Sequence, residues 1–202
     1  MALTTRFLGI QDYQATWRAM QQFTENRTWD TPDEIWVVEH DPVYTLGLNG
    51  KREHLLDTGS IPVVHCDRGG QVTYHGPGQL VVYPLLDMKR SKLGVRPLVT
   101  LLEEAMIETL ALYRIAANAR ADAPGVYVDG KKIGSIGIRI RKNCSYHGLS
   151  LNNYVDLSPF KGINPCGYSK LEVTRLADLG VNLSNEELAS PLVEAITQAL
   201  SS

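Results

Sequence analysis

Apolar residues recur at Tyr13, Trp17, Met20 and Phe23, steps of four, three and three. That spacing predicts one buried helical stripe over residues 11–24. Pro32 breaks the pattern, and residues 34–39 then read as a buried strand. The turn His40-Asp-Pro42 leads to a second strand, residues 43–48, and residues 62–66 form a third. Residues 71–75 and 79–86 bracket a Gly-Pro-Gly turn. The longest helix is expected over residues 97–113, with Pro97 at its first position, where a missing N–H costs nothing. Its inner face is read as Leu98, Leu101, Leu102, Ala105, Thr109 and Leu112. Asp129-Gly130 between two apolar runs predicts a hairpin with a type I′ turn. After it, Gly134, Ile136, Ile138 and Ile140 alternate with Ser135, Gly137, Arg139 and Arg141, a strand with one apolar face. On that phase Lys132 falls on the apolar face and Lys131 on the polar one. Residues 147–155 are expected to pair antiparallel beside it. Ser169-x-x-Glu172 and Ser184-x-x-Glu187 fit the capping box and predict two closing helices. Strands come in blocks, without regular βαβ alternation. The fold class is therefore α+β: a mixed, largely antiparallel sheet with packed helices, one domain over residues 1–202.

Composition narrows the functional classes. Of the 202 residues 44% are apolar and 21% charged, enough to bury a core and too apolar for a disordered chain. The formal net charge of −2 argues against a general nucleic-acid binder. The cations Lys89, Arg90, Lys92, Arg139, Arg141 and Lys142 still offer a local basic patch for an acidic partner. No apolar run approaches the ~20 residues that a membrane helix needs. No secretory signal is visible, and three cysteines without a Cys-x-x-Cys pair point to free thiols in the cytoplasm. A structural zinc site is not expected, since its four ligands have no matching spacing here.

Candidate chemistry gathers in three places. Arg68-Gly-Gly-Gln-Val-Thr-Tyr-His-Gly-Pro-Gly-Gln79 sets glycines among apolar strands, where backbone N–H groups can approach a ligand closely. A ligand-free glycine hairpin reads equally well from composition. Gly125-x-x-x-x-Gly130-Lys131 looks like a phosphate-binding loop. However, Lys132 follows where Ser or Thr is needed, and strand residues follow in place of a helix. Cys166, between Pro165 and Gly167 and ahead of the helix expected near Ser169, is either a small buried hydrophobe or a thiolate favoured by the helix N-terminus. No Gly-x-Ser-x-Gly elbow supports a serine hydrolase.

Taken together, these segments resemble the lipoyl (octanoyl) transferases of lipoate biosynthesis. The resemblance runs over residues 30–180. It rests on Glu39-His-Asp-Pro-Val-Tyr-Thr-Leu-Gly47, the Arg68 to Leu80 motif, Gly130-Lys-Lys-Ile-Gly-Ser-Ile-Gly137, His147-Gly-Leu-Ser-Leu-Asn152 and Pro165-Cys-Gly167. It implies the fold of the biotin/lipoate protein ligase catalytic domain. It places the catalytic cysteine on Cys166 and the active-site lysine on Lys132. The acyl site would be lined by Arg68, Gly69, Gly70, Gln71, Val72, Thr73, Tyr74 and His75, by Ser135, Ile136 and Gly137, and by Gly148, Leu149 and Ser150. The implied donor is octanoyl-acyl carrier protein. The implied acceptors are lipoyl domains of 2-oxoacid dehydrogenase complexes and the glycine-cleavage H protein. Neither a cofactor nor a metal is expected. The alternative enzyme reading is a lipoate–protein ligase, which shares the fold but activates its acid with ATP.

Overall fold

The computed structural model describes residues 3–167 and 171–201, the side chain of Cys166 excepted. Strands β1 (Leu3–Gln11), β2 (Asp33–His40), β6 (Gln79–Leu85), β10 (Cys144–Asn152), β9 (Lys131–Arg141), β8 (Val126–Val128) and β7 (Asn118–Ala119) lie side by side in that order in one sheet. The β1–β2 pair is parallel, and every other neighbour in this sheet is antiparallel. A second sheet holds β4 (Val63–His65), β3 (Val43–Leu46) and β5 (Val72–His75). The mixed, largely antiparallel α+β architecture is the one expected from the strand blocks.

Alternation along the strands divides the molecule. Ile35, Val37, Leu80, Val82, Leu149 and Leu151 point to one face of the large sheet. There they meet Leu98, Leu102, Met106 and Leu110 of α2 (Val95–Leu112) and Leu188, Leu192 and Ile196 of α3 (Asn185–Ser201). Each such side chain, fully buried, contributes about 1.5–3 kcal/mol of transfer free energy. Trp36, Val38, Val81, Tyr83 and Tyr146 point to the other face, against Met20 of α1 (Tyr13–Asn26). The second sheet carries its own apolar cluster of Tyr44, Leu46, Val72, Tyr74, Phe160 and Ile163.

Local chemistry explains the element ends. The Asp12 carboxylate caps α1 by accepting from the Ala15 N–H at 2.7 Å. Ser184 and Glu187 form the expected capping box of α3, Glu187 N–H to Ser184 Oγ at 3.1 Å and Ser184 N–H to Glu187 Oε2 at 2.8 Å. Asp129 and Gly130 both have positive φ, as a type I′ turn requires, and Lys142-Asn143 turns β9 into β10 in the same way.

Four expectations are corrected. Helix α2 begins at Val95, so Pro97 is its third residue, still among the first four whose N–H groups have no helical partner. Leu112, at its last turn, is 67% exposed and not part of the inner face. Strand β1 was not expected. It is a half-exposed edge strand whose apolar residues do not alternate cleanly. The helix expected from Ser169-x-x-Glu172 is not found among the described residues, where Leu171 and Glu172 are not helical. Ser169 itself lies outside the described ones, and Glu172 to Thr174 run extended along β9. Lys132 lies beyond the end of the β10 pairing, so its backbone needs other partners. Its N–H donates to the Glu172 carbonyl at 2.8 Å, and its carbonyl accepts from the Thr174 N–H at 2.9 Å.

Candidate active site

Strand β5 of the small sheet and the loop before it approach the α1-side face of the large sheet and close a narrow cavity. Arg68, Gly70, Gln71, Val72, Thr73 and His75 form one wall. Ser135, Ile136 and Gly137 of β9 and Gly148, Leu149 and Ser150 of β10 form the other. The approach depends on missing side chains. A Cβ on Gly137 would stand 2.9 Å from the Gly69 carbonyl oxygen and 3.2 Å from Arg68 Cδ. Gly70 takes φ +88°, a region that L side chains rarely adopt.

Arg68 fastens the loop. Its guanidinium is buried and donates to the carbonyls of Thr45 (2.6 Å), Gly69 (2.9 Å) and Gln71 (2.8 Å) and to Thr45 Oγ1. Two residues expected at the site do not line this cavity. Tyr74 points the other way on the alternating strand, into the small sheet's core against Phe160. Gly69 donates its N–H to the Ile138 carbonyl and borders a neighbouring groove.

Tyr13, Val81, Tyr83 and His147 line the cavity and were not expected there. In the sequence Tyr13 reads only as part of a core stripe. Histidine spacing gave no hint that His40, His75 and His147 would gather around it. Tyr13 stacks on His75 with ring centroids 5.8 Å apart and meets His40 edge-on at 5.2 Å. Asp67 accepts from His147 Nε2 at 2.9 Å, from Trp17 Nε1 at 2.8 Å and from the Tyr146 hydroxyl. Burial alone would raise the Asp67 carboxyl. The hydrogen bonds from His147, Tyr146 and Trp17 outweigh it and hold the group well below the usual carboxylate range. Burial pushes His40 down to about 4 and His75 down to about 3, so both rings are neutral near pH 7.

Lys132 is 3% exposed, whereas Lys131 reaches out to Glu172 at 3.0 Å. The expected burial of Lys132 is found, but on the opposite face. Val126 pairs with Gly134, yet Tyr127 pairs with Lys132, so Ile133 is an extra residue in β9. Ile133 joins the helix-side core with Val126 and Val128, and Lys132 shares the other face with Tyr127, Ser135 and Gly137. Its ammonium donates to the Pro124 carbonyl at 2.8 Å and lies 5.4 Å from the Tyr127 ring centroid. Lys132 is thus on the cavity's side of the sheet.

The Cys166 side chain lies outside the described residues. Its backbone sits in a 3-10 turn, Pro165–Gly167, that packs on β5. A Cβ on Gly167 would stand 3.5 Å from Gln71 Cδ, at the cavity wall. The Asn164 N–H ties the turn to the His54 carbonyl at 2.9 Å. Among the described residues that follow, Glu172 to Thr174 are extended, and the start of the helix expected near Ser169 lies outside the described residues. The expected basic patch is partly neutralised: Arg141 and Lys142 both pair with Glu25, and Arg90 pairs with Asp33. Among the described residues no cluster of His, Cys, Asp and Glu could hold a metal ion, and no helix is long and apolar enough to cross a membrane.

A model of the lipoyl protein ligase A/B catalytic domain matches residues 12–197. The octanoyltransferase of Alkalilimnicola ehrlichii is 59% identical over 198 residues, 98% of this chain and 92% of that one. The octanoyltransferase of Shewanella oneidensis is 58% identical, over 98% and 91%. Among solved structures, lipoate-protein ligase A bound with ATP superposes with a TM-score of 0.83 at 15% identity, covering 100% of this chain and 86% of that one. Biotin protein ligase from Aquifex aeolicus gives 0.59 at 15% identity, over 98% and 69%. At these identities the structural likenesses establish the fold.

Proposed function

The chain belongs to the lipoyl protein ligase A/B catalytic-domain family, among its octanoyltransferases, and from that premise we propose that it moves an octanoyl group from octanoyl-acyl carrier protein to a lysine of a lipoyl domain. The acceptors are the lipoyl domains of 2-oxoacid dehydrogenase complexes and the glycine-cleavage H protein. The observation that carries this reading is the shared face. A buried lysine and a narrow, mostly apolar cavity lie on one side of the sheet, and the turn bearing Cys166 packs against the cavity's wall strand.

The donor is already a thioester, so the acyl carbon needs no ATP. Cys166 as thiolate attacks that carbon, the bond to the carrier's sulfur breaks, and the octanoyl group is left on Cys166. The Lys132 ammonium favours the thiolate by charge and gives its proton to the departing carrier thiolate. The acceptor lysine, as free amine, then attacks the Cys166 thioester. Lys132, now neutral, takes the proton that the amine loses, and Cys166 leaves as thiolate. Arg68 to His75, Ser135 to Gly137 and Gly148 to Ser150 enclose the chain, except for Tyr74 and Gly69, which face elsewhere.

The discriminating experiment mixes the protein with octanoyl-carrier protein and a lipoyl domain without nucleotide. Octanoylated lipoyl domain is expected. Product only from free octanoate or lipoate plus ATP would instead identify a ligase.

A further inference from the structure

Two buried polar atoms of the cavity lining have no nitrogen or oxygen partner among the described residues: Tyr13 Oη and His147 Nδ1. Tyr13 is 3% exposed and His147 1%, and their rings stack with centroids 6.5 Å apart. Their roles are complementary. Asp67 takes the hydrogen bond of His147 Nε2, so the neutral ring presents a lone pair at Nδ1. Burial keeps the Tyr13 hydroxyl protonated and hence a donor, with the Cys66 thiol as a weak neighbour. The nearby rings are better served. His75 Nδ1 meets Gln79 Oε1 at 2.7 Å, and the Tyr83 hydroxyl meets His40 Nε2 at 2.7 Å. The His147 backbone is held at φ +58°, uncommon for a residue other than glycine and a mark of a constrained position.

The cavity has a direction. Gly70 is exposed and Gln71 half-buried, with Gln71 beside Gly167 of the Cys166 turn, whereas Tyr13 and His147 are buried. We propose that Tyr13 Oη and His147 Nδ1 form a polar stop at the inner end of this cavity and set the length of acyl chain that it accepts. The inference rests on the octanoyl-transfer reading. A chain that ends short of the pair leaves donor and acceptor free to bond water. A longer chain pushes methylenes between them and strands both in an apolar contact, which is unfavourable even where the space would admit it. Selection of length is then chemical as well as steric.

The test measures acyl-enzyme formation by wild type and Tyr13→Phe with octanoyl, decanoyl and dodecanoyl thioesters of carrier protein. Tyr13→Phe keeps the ring and removes only the hydroxyl. The decanoyl-to-octanoyl ratio of kcat/KM is expected to rise about tenfold, the scale of one buried group no longer left unsatisfied. An unchanged decanoyl-to-octanoyl ratio overturns the stop. Wild type that forms no octanoyl-enzyme overturns the transfer reading, and the stop with it. Octanoyl-enzyme formation by wild type separates the two failures.

Discussion

Lys132 and Lys131 are neighbours in β9 with opposite surroundings, one under the Tyr127 ring and one paired with Glu172 at the surface. A buried ammonium is costly unless charge or hydrogen bonds compensate it, so a thiolate nearby would be stabilised in return. Lys132→Ala is therefore expected to move the alkylation profile of Cys166 to higher pH and to cut single-turnover transfer by about a hundredfold or more, the scale of a lost acid–base group. Lys131→Ala should be close to silent. Alkylation rate against pH in both variants checks this, and a large effect confined to Lys131→Ala would refute it. The burial of Lys132 was legible from strand phase, but its face was not. Alternation assumes no bulge, and nothing in Lys-Lys-Ile-Gly announces that Ile133 is the extra residue. Tyr13 and His147 were illegible as site residues for a different reason. Their partners lie far along the chain, Asp67 eighty residues from His147.

At the scale of elements, the site depends on how closely the loop before β5 can approach β9. Gly137→Val places branched carbon where the Gly69 carbonyl and Arg68 Cδ already stand at 2.9 and 3.2 Å. The loop must retreat, at a cost of about 1–3 kcal/mol for overpacking. Octanoyl transfer is expected to collapse while the fold survives with a lowered Tm. A variant that transfers at the wild-type rate would show that the cavity wall is not used. The glycine-rich segment was legible as a candidate, but composition alone left a ligand-free hairpin equally open, and only the family resemblance favoured the site. The helix expected after Cys166 shows the opposite case. Ser169-x-x-Glu172 satisfies a local rule, but Glu172 and Thr174 hydrogen-bond to the backbone of Lys132 in an extended bridge instead. Tertiary hydrogen bonding outweighs the capping pattern there. Ser184-x-x-Glu187, followed by a true apolar stripe, does begin a helix.

Across the whole molecule, strand blocks and helical stripes sufficed for the α+β class. The division into a seven-stranded and a three-stranded sheet depends on long-range pairing that periodicity does not encode. The place where the sheets meet is rich in buried histidine, and this has a consequence for stability. His40 and His75 stay neutral in the folded protein down to about 4 and about 3, but titrate near 6.5 when unfolded. As pH falls through 6.5 the unfolded chain binds protons that the folded one refuses, so stability drops until the folded values are reached. The loss should be about 1–3 kcal/mol per pH unit between pH 6 and 4. Urea midpoints at pH 7, 6 and 5 measure it, and a flat series would contradict the buried neutral cluster. The central claim, though, is covalent. Intact mass of the protein mixed with octanoyl-carrier protein tests it most directly, with peptide mapping of any adduct. One octanoyl group on Cys166, released by neutral hydroxylamine, is expected. An adduct on Cys66 or Cys144, both buried thiols, with Cys166→Ala still active, would contradict it.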